Sequence, residues 1–229
     1  MSQLILGLGN KARHGKDSFV DAVESCFLRQ QAAADKHGLT NFKGVKIQKL
    51  SFADALYREV NEFLKPSEFK SPDFWRSPRI VDGIKLPNWV QPTPDAEKSI
   101  RAPYGKHPSL LQWWGTEFRR AQDPDYWVKS WAKAVDPTAD IVMTPDMRFI
   151  NEAVAVKAKG GYTIRISRLN PDGTPYVDPT RDVNHRSETE LDNHNFDFRI
   201  TVKSGEMALL DEWSIALVYY LRALAKKGK

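Results

Sequence analysis

The sequence lacks several features that would assign it to a class of protein. Its single cysteine, Cys26, excludes an intrachain disulfide framework and a cysteine-rich zinc module. Its five histidines form no H-E-x-x-H pair, which argues against a zinc site built from protein ligands alone. The longest apolar run, 215–221, is too short to span a bilayer, and the residues after Met1 lack the basic start of a signal peptide. These absences predict a cytoplasmic protein with no membrane partner.

The composition is that of a globular protein with room for a substantial core. Of the 229 residues, 41% are hydrophobic and 28% are charged, which excludes a disordered chain. The net charge of +5 suits an anionic partner such as a nucleotide, a nucleic acid or an acidic surface. The charge alone does not choose among these partners.

Apolar periodicity predicts strands that alternate with helices. The predicted strands are 3–8, 45–50, 140–144, 162–166 and 198–202, and the predicted helices are 16–34, 54–64, 109–118, 124–135, 149–159 and 205–225. Between them lie a segment at 66–108 that holds eight of the 14 prolines and a polar loop at 169–186. This order predicts an α/β fold whose mainly parallel sheet is covered on both faces, with ligands at the carboxyl ends of its strands.

The turn after the first predicted strand has the pattern of a phosphate-binding loop. From Gly9 it runs G-N-K-A-R-H-G-K-D-S, and Gly15 with Lys16 fits the end of the GxxxxGK[ST] pattern between a strand and a helix. In such a loop, backbone N–H groups and the start of the helix point at phosphates, and the lysine adds a positive charge. The alternative is a glycine turn followed by an unrelated lysine.

This loop departs from the pattern at two positions. Asn10 stands at the first glycine position, where asparagine tolerates a left-handed backbone better than most residues. Asp17 follows Lys16, and the hydroxyl comes one place later, at Ser18. Either Asp17 or Ser18 can serve a magnesium ion, and the pattern does not decide between them.

Charged residues after the later strands are candidates for the same chemistry. Asp146 and Arg148 follow the strand 140–144, where an acid can hold magnesium and an arginine can grip phosphate. Arg181 and Arg186 lie in or just after the polar loop, where a closing lid would bring them over the donor phosphates. The alternative for each of these residues is a surface ion pair or a helix start.

In these and further stretches the chain resembles the deoxynucleoside monophosphate kinases of bacteriophages, within the P-loop kinases. The first stretch is K-A-R-H-G-K-D-S from Lys11, and the others are F-A-D-A-L from Phe52, L-L-Q-W-W-G-T-E from Leu110, D-Y-W-V from Asp125, T-P-D-M-R from Thr144 and H-R-S-E from His185. Their order and spacing cover most of the chain. GKD followed by a hydroxyl residue is fairly specific to this family, whereas each other stretch is weak by itself.

The resemblance implies a three-layer P-loop kinase fold in a single domain, 1–229, with a monophosphate-binding insertion at 52–125 and a lid region at 168–192. It implies transfer of the γ-phosphate of ATP to a deoxynucleoside monophosphate with Mg²⁺, a homodimer, and no stable nucleic-acid partner. The implied catalytic residues are Lys16, Asp146 and Arg148. The implied ATP-binding residues are Asn10, Lys11, Ala12, Arg13, His14, Gly15, Lys16, Asp17, Ser18, Arg181 and Arg186. The implied acceptor-binding residues are Asp54, Arg58, Thr116, Arg120 and Arg148, and the implied metal-binding residues are Asp17, Ser18 and Asp146.

Two alternative functions follow from the same sequence. One is a P-loop kinase that acts on another phosphorylated small molecule, which a panel of acceptors would identify. The other is a non-enzymatic nucleic-acid-binding protein, favoured by the basic charge and the many aromatic residues. The second alternative predicts salt-sensitive oligonucleotide binding without ATP turnover, and it leaves the loop at Lys16 unexplained.

Overall fold

The computed structural model describes residues 3–39, 43–64, 80–81, 84–90, 101–179 and 182–227. The chain divides into two compact units. Met1–Ser51 with Ala132–Lys229 form the first, which we call the sheet unit, and Phe52–Trp131 form the second, which we call the aromatic unit. The aromatic unit therefore lies, in sequence, between two parts of the sheet unit.

Strands and helices alternate through most of the described chain. In chain order the elements are β1 (Leu4–Gly9), α1 (Lys16–Lys36), β2 (Ile47–Lys49), α2 (Asp54–Phe63), β3 (Ile80–Val81), β4 (Ile84–Lys85), α3 (Pro108–Gln112), a π-helix (Trp113–Arg120), α4 (Tyr126–Ala134), β5 (Ile141–Met147), α5 (Ile150–Ala158), β6 (Tyr162–Leu169), α6 (Arg186–Thr189), β7 (Phe198–Lys203) and α7 (Met207–Lys227). Among the described residues, no helix is long and apolar enough to cross a membrane.

A five-stranded sheet in the order β2-β5-β1-β6-β7 organises the sheet unit. All of its neighbouring strands are parallel. Strand β1 is buried along its whole length, as expected for a central strand covered on both faces. Helices α1 and α7 pack against each other, and α5 packs against β1 and β6. The predicted α/β class with a mainly parallel, helix-flanked sheet is confirmed.

A β-bulge lies where β1 and β5 approach their carboxyl ends. Gly7 pairs with Thr144 but Gly9 pairs with Met147, so β5 carries one more residue than β1 over this interval. At Gly9 a side chain has no space, because a Cβ atom would lie 2.6 Å from the ring of Phe196. The bulge lets β5 continue past Pro145 to Met147, so the predicted end of this strand at residue 144 was wrong. Asp146 lies inside the strand, and a bulge at such a place redirects side chains.

Aromatic side chains form much of the core of the aromatic unit. Trp113, Trp114 and Trp127 are buried there with apolar residues of α2 and α3. The sequence predicted one regular helix over 109–118, whereas the structure has a short α3 followed by the π-helix. The ring of Trp113 stacks on Phe118 at 5.2 Å, a contact between residues five apart that the wider turn of a π-helix permits.

The proline-rich segment 66–108 is described only in part. Its described residues include β3 and β4, which pair antiparallel as two-residue strands, and the buried residues Leu86 and Val90. Within the described part of this segment, the predicted absence of periodic structure holds except for this small hairpin and for Pro108, which begins α3. Residues 65–79, 82–83 and 91–100 lie outside the described residues.

Candidate functional site

The turn between β1 and α1 has an unusual backbone. Asn10, Arg13 and Gly15 have φ angles of 121°, 58° and 93°, all in the region that favours glycine. Only Gly15 is free of the steric cost that a side chain brings there. A backbone that alternates between right- and left-handed conformations directs N–H groups into a concavity, which is a geometry suited to an anion.

Asn10 holds this turn against β6. Its side chain is buried, and Nδ2 lies 2.8 Å from the carbonyl oxygen of Ile166 and 3.1 Å from the Ser167 hydroxyl, to both of which it donates. The same atom is 3.3 Å from Nδ1 of His14. The residue that replaces the first glycine of the pattern therefore anchors the turn through its side chain.

Lys16 begins α1 with its ammonium group folded back into the turn. Nζ donates to the carbonyl oxygens of Asn10 at 3.1 Å and Lys11 at 2.6 Å. The side chain is buried, and within the described part of the chain no carboxylate lies within 4.0 Å of Nζ. Burial holds the pKa of Lys16 well below its usual value, and the charge of Arg148 lowers it further. An anionic ligand would compensate this buried positive charge.

His14 occupies the interior of the turn in its neutral form. Its Nδ1 accepts a hydrogen bond from the backbone N–H of Arg168 at 3.0 Å, and its ring meets Tyr176 edge-on at 5.9 Å. Burial lowers the pKa of His14 from 6.5 to about 4, and the nearby Lys16 charge contributes. The ring therefore links the turn to the end of β6 without adding charge at neutral pH.

Arg148 follows β5 and reaches the turn through a shared carboxylate. Its Nη1 lies 3.0 Å from Oε2 of Glu188, and the same oxygen accepts from the backbone N–H of Ala12 at 3.1 Å. The backbone N–H of Arg148 donates to Glu152 at 2.7 Å. Arg148, the turn and α6 are thus joined around one buried oxygen atom.

The predicted metal-binding residues differ in their surroundings. Asp17 is exposed and forms an ion pair with Lys49 at 3.2 Å. Ser18 lines the cavity described below, and Asp146 is near enough to Lys16 to raise its pKa. Among the described residues, no group of three or more His, Cys, Asp or Glu side chains could hold a metal ion. A magnesium ion held mainly by phosphates and water needs only one or two protein oxygens, and these three residues supply that type of ligand.

A cavity of about 290 Å³ opens beside the turn within the sheet unit. It is lined by residues 13–18, by Arg168, and by the turn 202–205 with the start of α7. The Arg168 guanidinium stacks over Tyr176 at 4.1 Å and donates through Nε to the Ser204 hydroxyl at 2.8 Å. The cavity is therefore bordered by Lys16 on one element and by Arg168 on another, and two such cations suit a phosphorylated ligand.

Four other cations of the predicted ATP-binding set either have carboxylate partners or lie outside the described residues. Lys11 pairs with Asp192 at 3.3 Å, and Arg13 pairs with the buried Asp178 at 3.2 Å. Arg186 pairs with Glu190 and lies over the ring of Phe149. Arg181 lies outside the described residues. No described contact of Arg186 reaches the turn at residues 10–18.

The predicted acceptor residues other than Arg148 belong to the aromatic unit. Asp54 begins α2 and forms an ion pair with Arg101, whose guanidinium also lies over the Tyr57 ring at 5.4 Å. Arg120 is buried and donates to the carbonyl oxygen of Pro124 at 2.9 Å. The remaining two are Arg58, which is exposed on α2, and Thr116, which is half-buried in the π-helix.

Glu59 organises a hydrogen-bond cluster in the same unit. Its carboxylate accepts from the indole N–H of Trp114 at 2.9 Å, from Nε of Arg119 at 2.7 Å and from the hydroxyl of Tyr126 at 2.5 Å. The Arg119 guanidinium also lies over the rings of Trp114, Tyr126 and Phe118. Because its oxygens accept from groups of the π-helix and of α4, Glu59 joins its own helix, α2, to both of these elements.

Two residues at these sites were not predicted from the sequence: Glu188 and Arg101. Glu188 lies in the H-R-S-E stretch, where the residue order alone suggests only a helix start. Arg168, by contrast, is a candidate from the sequence, because it is a cation near the carboxyl end of a predicted strand, and it is the last residue but one of β6. No pattern in the sequence distinguishes Arg101 from other arginines.

Comparisons of the chain with protein-family models and with curated protein sequences found no match.

Proposed function

We propose that this protein is a magnesium-dependent deoxynucleoside monophosphate kinase with a three-layer P-loop kinase fold. The observation that carries the proposal is the buried Lys16 ammonium, bonded to two carbonyl oxygens at the start of a 21-residue helix and beside a cavity of about 290 Å³. A buried cation without a carboxylate partner is costly unless a ligand compensates it. The resemblance of the sequence to phage deoxynucleoside monophosphate kinases supports a nucleotide as that ligand.

On the donor side, residues 10–18 bind the phosphates of ATP through backbone N–H groups, and Lys16 turns from the loop carbonyls toward the phosphate oxygens. Arg148 contributes N–H donors that Glu188 leaves unused. These groups balance negative charge that develops as the phosphoryl group moves, which is the main source of catalysis in this type of reaction. The cavity beside Arg168, whose guanidinium stacks on Tyr176, takes the nucleoside part.

The reaction is an in-line displacement at the γ-phosphorus. An oxygen of the acceptor phosphate forms the new P–O bond, while the bond from the γ-phosphorus to the β,γ-bridging oxygen breaks and ADP leaves with that electron pair. Because the attacking oxygen is already anionic, no general base has to remove a proton. Positioning and charge balance are therefore the tasks of the protein.

Oxygen donors suited to magnesium are available at Ser18, Asp17 and Asp146. When bound, the ion would neutralise part of the charge of the phosphates. Asp17 would have to exchange its contact with Lys49 for this role, whereas Ser18 needs no such exchange.

We assign binding of the acceptor monophosphate to the aromatic unit, with its region 52–125 as the monophosphate-binding insertion and 168–192 as the lid. Asp54, Arg58, Thr116 and Arg120 are the proposed acceptor residues there, together with Arg148 of the sheet unit. Arg101 joins this set, because it fixes the carboxylate of Asp54.

The test is an ADP-release assay of purified protein with Mg²⁺-ATP and each deoxy- and ribonucleoside monophosphate. We expect ADP release that depends on a deoxynucleoside monophosphate. Release only with a different phosphorylated small molecule would move the assignment to another P-loop kinase activity. Tight, salt-sensitive oligonucleotide binding without ADP release would instead favour the nucleic-acid-binding alternative.

A further inference from the structure

The carboxylate of Glu188 is an unexpected component of the candidate site. Glu188 lies in α6 and is 7% exposed. A single oxygen, Oε2, accepts from the backbone N–H of Ala12 at 3.1 Å and from Nη1 of Arg148 at 3.0 Å. A negative charge thus lies in a place where the proposed function calls for binding of anionic phosphates.

The fold of α6 has other supports than Glu188. The imidazole of His185 accepts from the backbone N–H of Ser187 at 3.2 Å and so caps the helix. Glu190 accepts from the backbone N–H of Ile150 at 3.1 Å, which attaches α6 to the start of α5. A buried ion pair contributes little net stability, because desolvation offsets the attraction. The main consequence of the Glu188 carboxylate is therefore that it fixes the positions of the two groups that donate to it, the Ala12 N–H and the Arg148 guanidinium.

This geometry concerns Arg148. Its side chain is 20% exposed, and Glu188 is the side-chain partner that the described part of the chain provides for it. A guanidinium carries five N–H donors in a rigid fork, so the contact through Nη1 leaves Nε and Nη2 able to donate. The backbone of Arg148 is fixed in turn by the bond of its N–H to Glu152.

We infer that Glu188 is a positioning residue, which holds the guanidinium of Arg148 and the Ala12 segment of the turn in one fixed relation. The free N–H donors of Arg148 then meet the phosphoryl group during its transfer, while Glu188 itself contacts no nucleotide. This inference rests on the proposed kinase function and adds a residue that acts through Arg148.

The first test compares Glu188→Gln with Glu212→Gln as the matched control. Glu212 is exposed on α7, lies outside the proposed lid at 168–192 and does not line the cavity. We expect Glu188→Gln to lower kcat by about 10- to 100-fold, the effect of a misplaced catalytic group, and to change the ATP dissociation constant by less than about threefold. Glu188→Asp, which keeps the charge, restores part of kcat, and Glu212→Gln leaves kcat within about twofold of the wild type.

The second test measures Arg148 directly and needs no turnover. In ¹⁵N NMR spectra the Nε–H signal of Arg148, assigned from its loss in Arg148→Lys, reports the mobility of the guanidinium. We expect a restrained signal in the wild type and Glu212→Gln, and a mobile one in Glu188→Gln.

Three results for Glu188→Gln would overturn the inference: an unchanged kcat, a restrained Arg148 signal, or tighter ATP binding. Tighter binding would mean that the Glu188 carboxylate occupies the position of a phosphate and is displaced by it. A result that contradicts the proposed kinase function can be told apart from these three results. It would show as no ADP release by the wild type with any acceptor, and the NMR comparison would still decide whether Glu188 positions Arg148.

Discussion

Charged side chains have different partners in the sheet unit and the aromatic unit. In the sheet unit, Lys16 bonds only to carbonyl oxygens, and Arg148 uses one of its side-chain N–H groups on Glu188, within the described residues. In the aromatic unit, Glu59 receives hydrogen bonds from three side chains, Trp114, Arg119 and Tyr126. Lys16 and Arg148 therefore keep N–H groups that can bind an anion, whereas the Glu59 carboxylate has its partners inside its own unit.

This difference indicates where a ligand binds and what holds the fold. A buried charge that lacks full compensation reduces stability, and a ligand of opposite charge recovers the loss. A buried charge that is fully hydrogen-bonded joins the elements that supply its partners. We therefore expect substitutions at Lys16 to affect chemistry more than folding, and substitutions at Glu59 to affect folding more than chemistry.

The largest expected effect tests whether the positive charge of Lys16 in the sheet unit serves the proposed reaction. Lys16→Ala removes the only positive charge inside the described turn that is fully buried, and we expect ADP release to fall by at least about a thousandfold, or about 4 kcal/mol in transition-state free energy. The free energy of unfolding without nucleotide rises, because the variant no longer buries a charge whose pKa is lowered by desolvation. Kinetic assays and urea unfolding measure the two quantities.

Lys46→Ala is the control for this substitution. Lys46 is a surface lysine of the same unit that pairs with Asp136 at 2.7 Å and does not line the cavity. It should keep its activity. A Lys16→Ala protein that retained near-normal turnover would remove Lys16 from the proposed chemistry.

The next largest effect tests whether the hydrogen-bond cluster around Glu59 stabilises the aromatic unit. Glu59→Ala leaves three donors without their acceptor, and we expect a loss of about 3–4 kcal/mol in the free energy of unfolding. The hydrogen bond to Glu59 raises the pKa of Tyr126, so this pKa falls in the variant. Urea unfolding followed by tryptophan fluorescence and absorbance titration of tyrosine measure these changes.

Glu59→Gln sharpens the same comparison, because glutamine keeps the shape of the side chain but carries no charge. We expect about half of the stability loss. Where the folded fraction of either variant is still high, the affinity for ATP should equal that of the wild type. Loss of ATP affinity in a folded Glu59 variant would contradict the division of roles between the two units.

The sequence predicted the sheet unit better than the aromatic unit for a physical reason. Strand β1 and helix α1 follow from a run of apolar residues and from apolar spacing over 21 residues, which are local properties. The π-helix depends on the stacking of Trp113 on Phe118, which competes with the regular turn of an α-helix. Local propensity does not reveal the outcome of that competition.

The composition of the candidate site was only partly predictable for a similar reason. The turn at Lys16 carries its own pattern, and the alternation of strands and helices placed Arg148 near the same sheet edge. The contact of Ala12 with Glu188 joins residues 176 positions apart, and the bond of the Ile150 N–H to Glu190 depends on how α6 meets α5. Such contacts follow from the packed structure and not from a spacing in the sequence.

An acid-dependent loss of stability tests the neutral state of His14 in the sheet unit. The unfolded chain has a histidine pKa of about 6.5, and burial lowers the pKa in the folded state to about 4. The unfolded state therefore binds more protons between these values, so stability is complete above pH 6.5 and falls as the pH drops to 4. The loss attributable to His14 is about 2–3 kcal/mol.

Urea unfolding at pH 7, 5.5 and 4 measures this loss, with His14→Asn as the comparison. Asparagine can still accept from the Arg168 N–H through its side-chain oxygen but does not titrate. His194, whose pKa burial also lowers, contributes equally to both proteins. If the free energy of unfolding changed with pH in the same way in the wild type and in His14→Asn, the prediction that burial lowers the pKa of His14 would be wrong.

The smallest effect separates backbone strain from side-chain anchoring at Asn10. Alanine at a φ of 121° keeps the steric cost of a Cβ and loses the bonds to Ile166 and Ser167, whereas glycine loses the bonds but removes the steric cost. We expect Asn10→Ala to be less stable than Asn10→Gly by about 1–2 kcal/mol in urea unfolding, with both below the wild type. If Asn10→Gly were more stable than the wild type, the backbone strain would outweigh the anchoring. Asn10 would then resemble Lys16, as a feature of the sheet unit that costs stability and is explained only by what the turn binds.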